Sequence, residues 1–263
     1  MIAVEGVLRH ERAVVGAGIA AIAALAWVYI WKGAGMGMSA LDMTTLSLFP
    51  HRQAGMEGSM EAGWSIVIAM WWVMMIAMMT PSAAPLVLLY LRVLRSRTAP
   101  AADAYAPSAM LLMGYLAVWL AFSVAAAALQ KALEPTGLIS EMMLWSRNAL
   151  LSATVLAATG VYQFSGFKHA CLAQCRAPAR FLMEYWRPGR IGGFMLGVRH
   201  GSYCVGCCWL LMALLFVGGI MNLIWIAALM LFVLVEKLAP AGPLFGKVSG
   251  ALMIFWAAAT LFV

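Results

Sequence analysis

The chain has 263 residues, 65% of them hydrophobic and only 10% charged, and a mean hydropathy of +0.92. That balance excludes an ordinary soluble globule and fits an all-α bundle of transmembrane helices; the short alternating strands of a spanning barrel are not visible. The net charge of +7 would suggest nucleic acid in a soluble protein, but here it reads as lysines and arginines gathered on the cytoplasmic side, with no nucleic-acid partner.

A bilayer core takes about 20 apolar residues per helix. Seven stretches are expected to span it, at 13–31, 64–89, 108–129, 149–167, 203–219, 223–235 and 248–263. The first apolar run is too long for a signal peptide's core and is read as a retained helix. The last is short and is the weakest of the seven. The tight turn before residue 223 has Gly218, Gly219 and Asn222 to make it. The whole chain, 1–263, is read as one integral membrane domain with two longer connections. The outer loop 32–63 carries Met36, Met38, Met43, Met56, Met60 and His51. The segment 172–199 mixes Phe181, Leu182, Tyr185 and Trp186 with arginines, a pattern suited to an interfacial helix on the inner face.

Placing the N-terminus inside puts Arg9, Arg12, Arg92, Arg95, Arg97, Lys168, Arg176, Arg180, Arg187, Arg190, Arg199, Lys237 and Lys247 on the cytoplasmic side. Lys32, Arg52, Lys131 and Arg147 fall outside. The bias orients the chain N-in, as a multi-pass protein of the bacterial inner membrane.

All five cysteines lie between Cys171 and Cys208, in KHACLAQC and RHGSYCVGCC. On a helix, Cys204, Cys207 and Cys208 fall about 40°, −20° and 80° from His200, so one arc can present two or three of them to one ion. Cys171 and Cys175 share a face with Lys168, whose ammonium would favour thiolate. Spans four and five meet at the inner membrane face, which brings both groups to the same side. Thiolates with imidazole suit copper or zinc, and thiolates alone suit Cu(I). Cys171, Cys175, His200, Cys204, Cys207 and Cys208 are therefore candidate metal ligands, with copper favoured. A disulfide there is not expected in a reducing compartment.

Other polar groups read more plainly. Glu236 beside Lys237 suggests an ion pair at a helix end, and Gln163 a hydrogen bond between helices. Met70, Met74 and Met78 form a stripe that suits core packing better than a copper path. Pro81 is expected to kink span two and free a carbonyl. The chain has no Walker-type ATP loop and no pair of core histidines for haem.

Three stretches carry a resemblance: WWVMMIAMMTPSAAP, YQFSGFKHACLAQCRAP and GVRHGSYCVGCCWLLMALLFVGGIMNLIWIAALMLFVLVEK. They resemble a bacterial family of unknown function regarded as metal-binding integral membrane proteins. The resemblance implies a metal site and falls on Lys168, Cys171, Cys175, His200, Cys204, Cys207, Cys208, Met221, Asn222, Glu236 and Lys237. The expected function is copper binding, relay, insertion or cofactor use at one membrane face. A quinone-coupled thiol–disulfide oxidoreductase and a metal transporter are the alternatives. Lipid and a metal ion are the expected partners, and assembly with other membrane subunits stays open.

Overall fold

The computed structural model describes residues 2–35, 39–44, 62–97, 104–140 and 144–262. Ten α-helices occur among them: α1 (Ile2–Trp31), α2 (Trp64–Arg97), α3 (Tyr105–Leu133), α4 (Ala149–Tyr162), α5 (Gly166–Arg176), α6 (Pro178–Tyr185), α7 (Gly189–Ala213), the single turn α8 (Leu215–Gly218), α9 (Leu223–Leu238) and α10 (Gly242–Thr260), with a 3-10 turn, Glu134–Thr136, after α3. No strand forms among the described residues, only one antiparallel bridge between Ile139 and Ser146.

Side-chain caps set several boundaries. Asn148 Oδ1 accepts from the amides of Leu150 and Leu151 at 2.8 and 3.1 Å and starts α4. Ser165 does the same for α5 through the Lys168 amide at 3.1 Å, and Asn222 for α9 through that of Ile224 at 3.1 Å. Proline opens α6, and Gly219, at φ 101°, makes the sharp turn between α8 and α9.

Five helical stretches are long and apolar enough to cross a membrane: Ala13–Trp31, Trp64–Ser96, Tyr105–Thr136, Gly189–Gly218 and Gly242–Thr260. The expected fourth span is not one straight helix: α4 and α5 meet at 65°. The expected sixth span, α9, has 16 residues, short of the usual length. Two boundaries also move. The helix of the expected fifth span, α7, starts at Gly189, well before Tyr203, and the last starts at Gly242. The segment 172–199 is divided between the end of α5, all of α6 and the first part of α7.

Two glycine stripes bring helices together. On α7, Gly193, Gly197 and Gly201 lie against the carbonyls of Pro107, Leu111 and Tyr115 on α3. Gly114 answers from α3, against the Phe194 carbonyl. On α10, Gly246 lies against the Glu236 carboxylate, and Gly250 packs on Gln163 and Gly160. Small residues at every fourth position let two backbones approach and gain dispersion contact that larger side chains would block.

The side chains form two cores. The larger holds Met70, Met74, Met75, Met78, Met79 and Trp71 of α2 with Cys204, Cys207, Cys208 and Met212 of α7. The methionine stripe is thus core packing, and α2 stays helical through Pro81 and Pro85. The smaller core joins Leu86, Tyr90 and Leu94 to Leu111, Leu196, Phe181 and Leu182, and is closed by α6. Met43 is buried in the larger core; His51, Met36, Met38, Met56 and Met60 fall outside the described residues.

Candidate metal centre

The α3–α7 glycine contact presses Tyr115 against the cysteine face of α7. Tyr115 Oη lies 3.0 Å from Cys204 Sγ and donates to the Met79 carbonyl of α2 at 3.1 Å. Ser82 Oγ donates to that same carbonyl at 2.9 Å. Two hydroxyls thus converge on the Met79 carbonyl, which is not the one that Pro81 deprives of its helical amide; that is the carbonyl of Ala77.

Lys237 enters from the end of α9. Its Nζ is 2.8 Å from Cys204 Sγ and 3.1 Å from Ser82 Oγ, and the residue is only 5% exposed. The expected Glu236–Lys237 pair does not form. Neighbours on a helix point about 100° apart, so the two side chains leave in different directions. Glu236 instead pairs with Lys168, Nζ to Oε1 at 2.7 Å and to Oε2 at 2.8 Å. Lys168 also donates to Gln163, and Arg176 donates to the Glu236 carbonyl. Lys168 is therefore spent on a carboxylate, and the ammonium that meets a thiol is that of Lys237. Gln163, which caps the end of α4, accepts from Lys168 of α5, a hydrogen bond between neighbouring helices.

The cysteines of α5 and α7 come together. The thiols of Cys175, Cys204 and Cys208 lie within hydrogen-bonding reach of Cys207. The thiols of Cys207 and Cys208 also turn back onto the Cys204 carbonyl at 3.1 and 2.9 Å. Cys171 is buried against Gly206, with Sγ 2.8 Å from where a Cβ on that glycine would sit. All five cysteines are free thiols. Among the described residues, no group of three or more His, Cys, Asp or Glu side chains stands ready-made as a metal cage.

The model for the PpoB2 family, described as copper chaperones, matches residues 68–260. The chain belongs to that family. No curated protein and no solved structure matches it. The matched stretch of the PpoB2 family takes in all five cysteines, His200, Tyr115, Ser82, Lys168, Glu236 and Lys237, and leaves out α1 and the outer loop. The resemblance to metal-binding membrane proteins agrees with a metal-related family and goes no further.

His200 lies one turn before Cys204 on α7, 2% exposed, between aromatic rings. Phe181 stands edge-on at 5.2 Å between centroids and Tyr115 is tilted at 5.8 Å. Its Nδ1 has no hydrogen-bond partner among the described residues, an orphaned buried polar atom beside the thiols. Soft sulfur donors are the set that monovalent copper takes, so the residues suit the cargo the family's description names. Sequence reading missed Tyr115 and Ser82. A tyrosine in an apolar span was the available signal, since a buried phenol must find a partner.

Proposed function

We propose that the chain is a multi-pass membrane protein of the bacterial inner membrane that binds copper and passes it on. Its cargo is passed among Cys175, Cys204, Cys207 and Cys208, a few sulfurs at a time, with Cys171 and His200 at the margin. The observation that carries this reading is the meeting of thiols from α5 and α7 at Cys175 and Cys207, in a chain of the PpoB2 family. Ligands on two helices suit a relay, because a shift of α5 against α7 changes the number of sulfurs a metal can reach. Exposed Leu25, Val28, Leu252, Phe255 and Phe262 on the outer faces of α1 and the α10 end support a lipid surround. Binding would release the back-bonds of Cys207 and Cys208 to the Cys204 carbonyl and free both sulfurs to turn toward the metal.

The test is elemental analysis of protein purified without chelator or nickel resin, with a parallel count of free thiols. The expected result is near-stoichiometric copper and blocked thiols that become reactive when the metal is removed. The variant with Cys204→Ser and Cys207→Ser should carry none. Full copper occupancy in that variant would overturn the site, and five reactive thiols with no metal in the parent protein would overturn the function.

A further inference from the structure

Lys237 is the unusual group in this centre. A buried ammonium calls for a negative partner. The acidic neighbour in sequence, Glu236, is engaged by Lys168, and that pair sums to zero charge. Lys237 instead reaches a neutral hydroxyl and a sulfur, Ser82 Oγ and Cys204 Sγ. Beyond Cys204, it lies within electrostatic reach of Cys207 and Cys175. The remaining close group, Tyr115, is a phenol that donates to a carbonyl.

We infer that Lys237 is the specificity-determining residue of the centre, its ammonium balancing the charge of a Cu(I) ion held by the two thiolates of Cys204 and Cys207. This rests on the copper reading above. As one Cu(I) enters, two S–H bonds break, two Cu–S bonds form and two protons leave to water. The two-thiolate complex carries one negative charge, and Lys237 brings the buried site to zero. On the same two thiolates a divalent ion fails this count: zinc there is neutral and leaves the ammonium uncompensated, and only a third thiolate would balance it. A net charge in a buried, low-dielectric site is costly, so at two thiolates the fixed lysine favours the monovalent ion. Cys175, in contact with Cys207, is then the third sulfur through which the ion is exchanged.

The experiment uses purified full-length protein in detergent, with Cu(I) affinity read by competition with a chromophoric Cu(I) chelator and Zn(II) affinity by a matching zinc indicator. Thermal unfolding of the metal-free proteins checks the fold. In Lys237→Met, Cu(I) binding is expected to weaken by about tenfold or more, the scale of one charged contact, while zinc binding holds or improves. Lys237→Arg, which keeps the charge, should stay nearer the parent. Equal Cu(I) affinity in Lys237→Met and the parent overturns the inference, as does equal loss of both metals. X-ray absorption of the copper-loaded parent protein supplies a test that needs no variant: two sulfur neighbours are expected, and three or four overturn it. A parent protein that binds no copper overturns the copper reading and the inference together. Copper in the parent with an unchanged Lys237→Met overturns the inference alone.

Discussion

Lys168 and Glu236 form a buried ion pair between α5 and α9, with side chains 1% and 2% exposed and a shortest contact of 2.7 Å. The pair fixes α5 to the helix that carries Lys237, so it sets where Cys175 meets α7. Removing one partner leaves an uncompensated buried charge. Glu236→Gln is expected to destabilise the protein by about 3–5 kcal/mol, whereas Lys168→Met with Glu236→Leu should recover much of the loss. Thermal unfolding of the single and double variants in one detergent checks this. A double variant no better than the single one would show that the pair is not the cause.

The glycine stripe of α7 makes a separate prediction. A Cβ on Gly197 would collide with the Leu111 carbonyl of α3, which is backbone and cannot swing away. Gly197→Ala should cost about 1–3 kcal/mol by overpacking. The same change at Gly166, which has open space around its missing Cβ, should cost much less. Equal effects at the two positions would refute the contact.

Much of the centre was legible in the pattern. The spacing of His200, Cys204, Cys207 and Cys208 placed them on one arc, and charge bias brought Cys171 and Cys175 to the same end. Lys237 was misread because adjacency in sequence was taken for adjacency in space, and a helix separates neighbours by about 100°. The partners of Cys204 on α2 and α3 were not legible, because register between helices is decided by packing. One part of that packing was written plainly: Gly193, Gly197 and Gly201 recur every four residues, as do Gly242, Gly246 and Gly250. Read as contact stripes, they would have marked the faces of α7 and α10. The bend after Tyr162 had only Ser165 and Gly166 to announce it.

Cys175 and Cys207 should join readily. In a variant keeping only these two cysteines, a mild oxidant is expected to link α5 to α7. Trypsin cutting at Arg180 would then leave the fragments attached until reductant is added. Fragments that separate without reductant would place the two thiols apart.

Membrane orientation calls for new probes, because Cys204 and Cys171 are buried and would escape a thiol reagent from either side. Thr136, at the end of the turn after α3, and Met183, 77% exposed on α6, are better sites. In intact spheroplasts an impermeant maleimide should label Thr136→Cys, and should reach Met183→Cys only after permeabilisation. The reverse pattern would turn the bundle over.

The helices are of unequal reach around the thiols. Lys237, one residue from the end of α9, touches Ser82 and Cys204, yet α2 runs on to Arg97 and α7 begins back at Gly189. Fifteen further residues of helix amount to about 22 Å, so the bundle has a step with the cysteines at its foot. If the chain relays copper as proposed, the low side of this step, over the ends of α5 and α9, is the shorter way out of the bundle, and a receiving protein would dock against that flank.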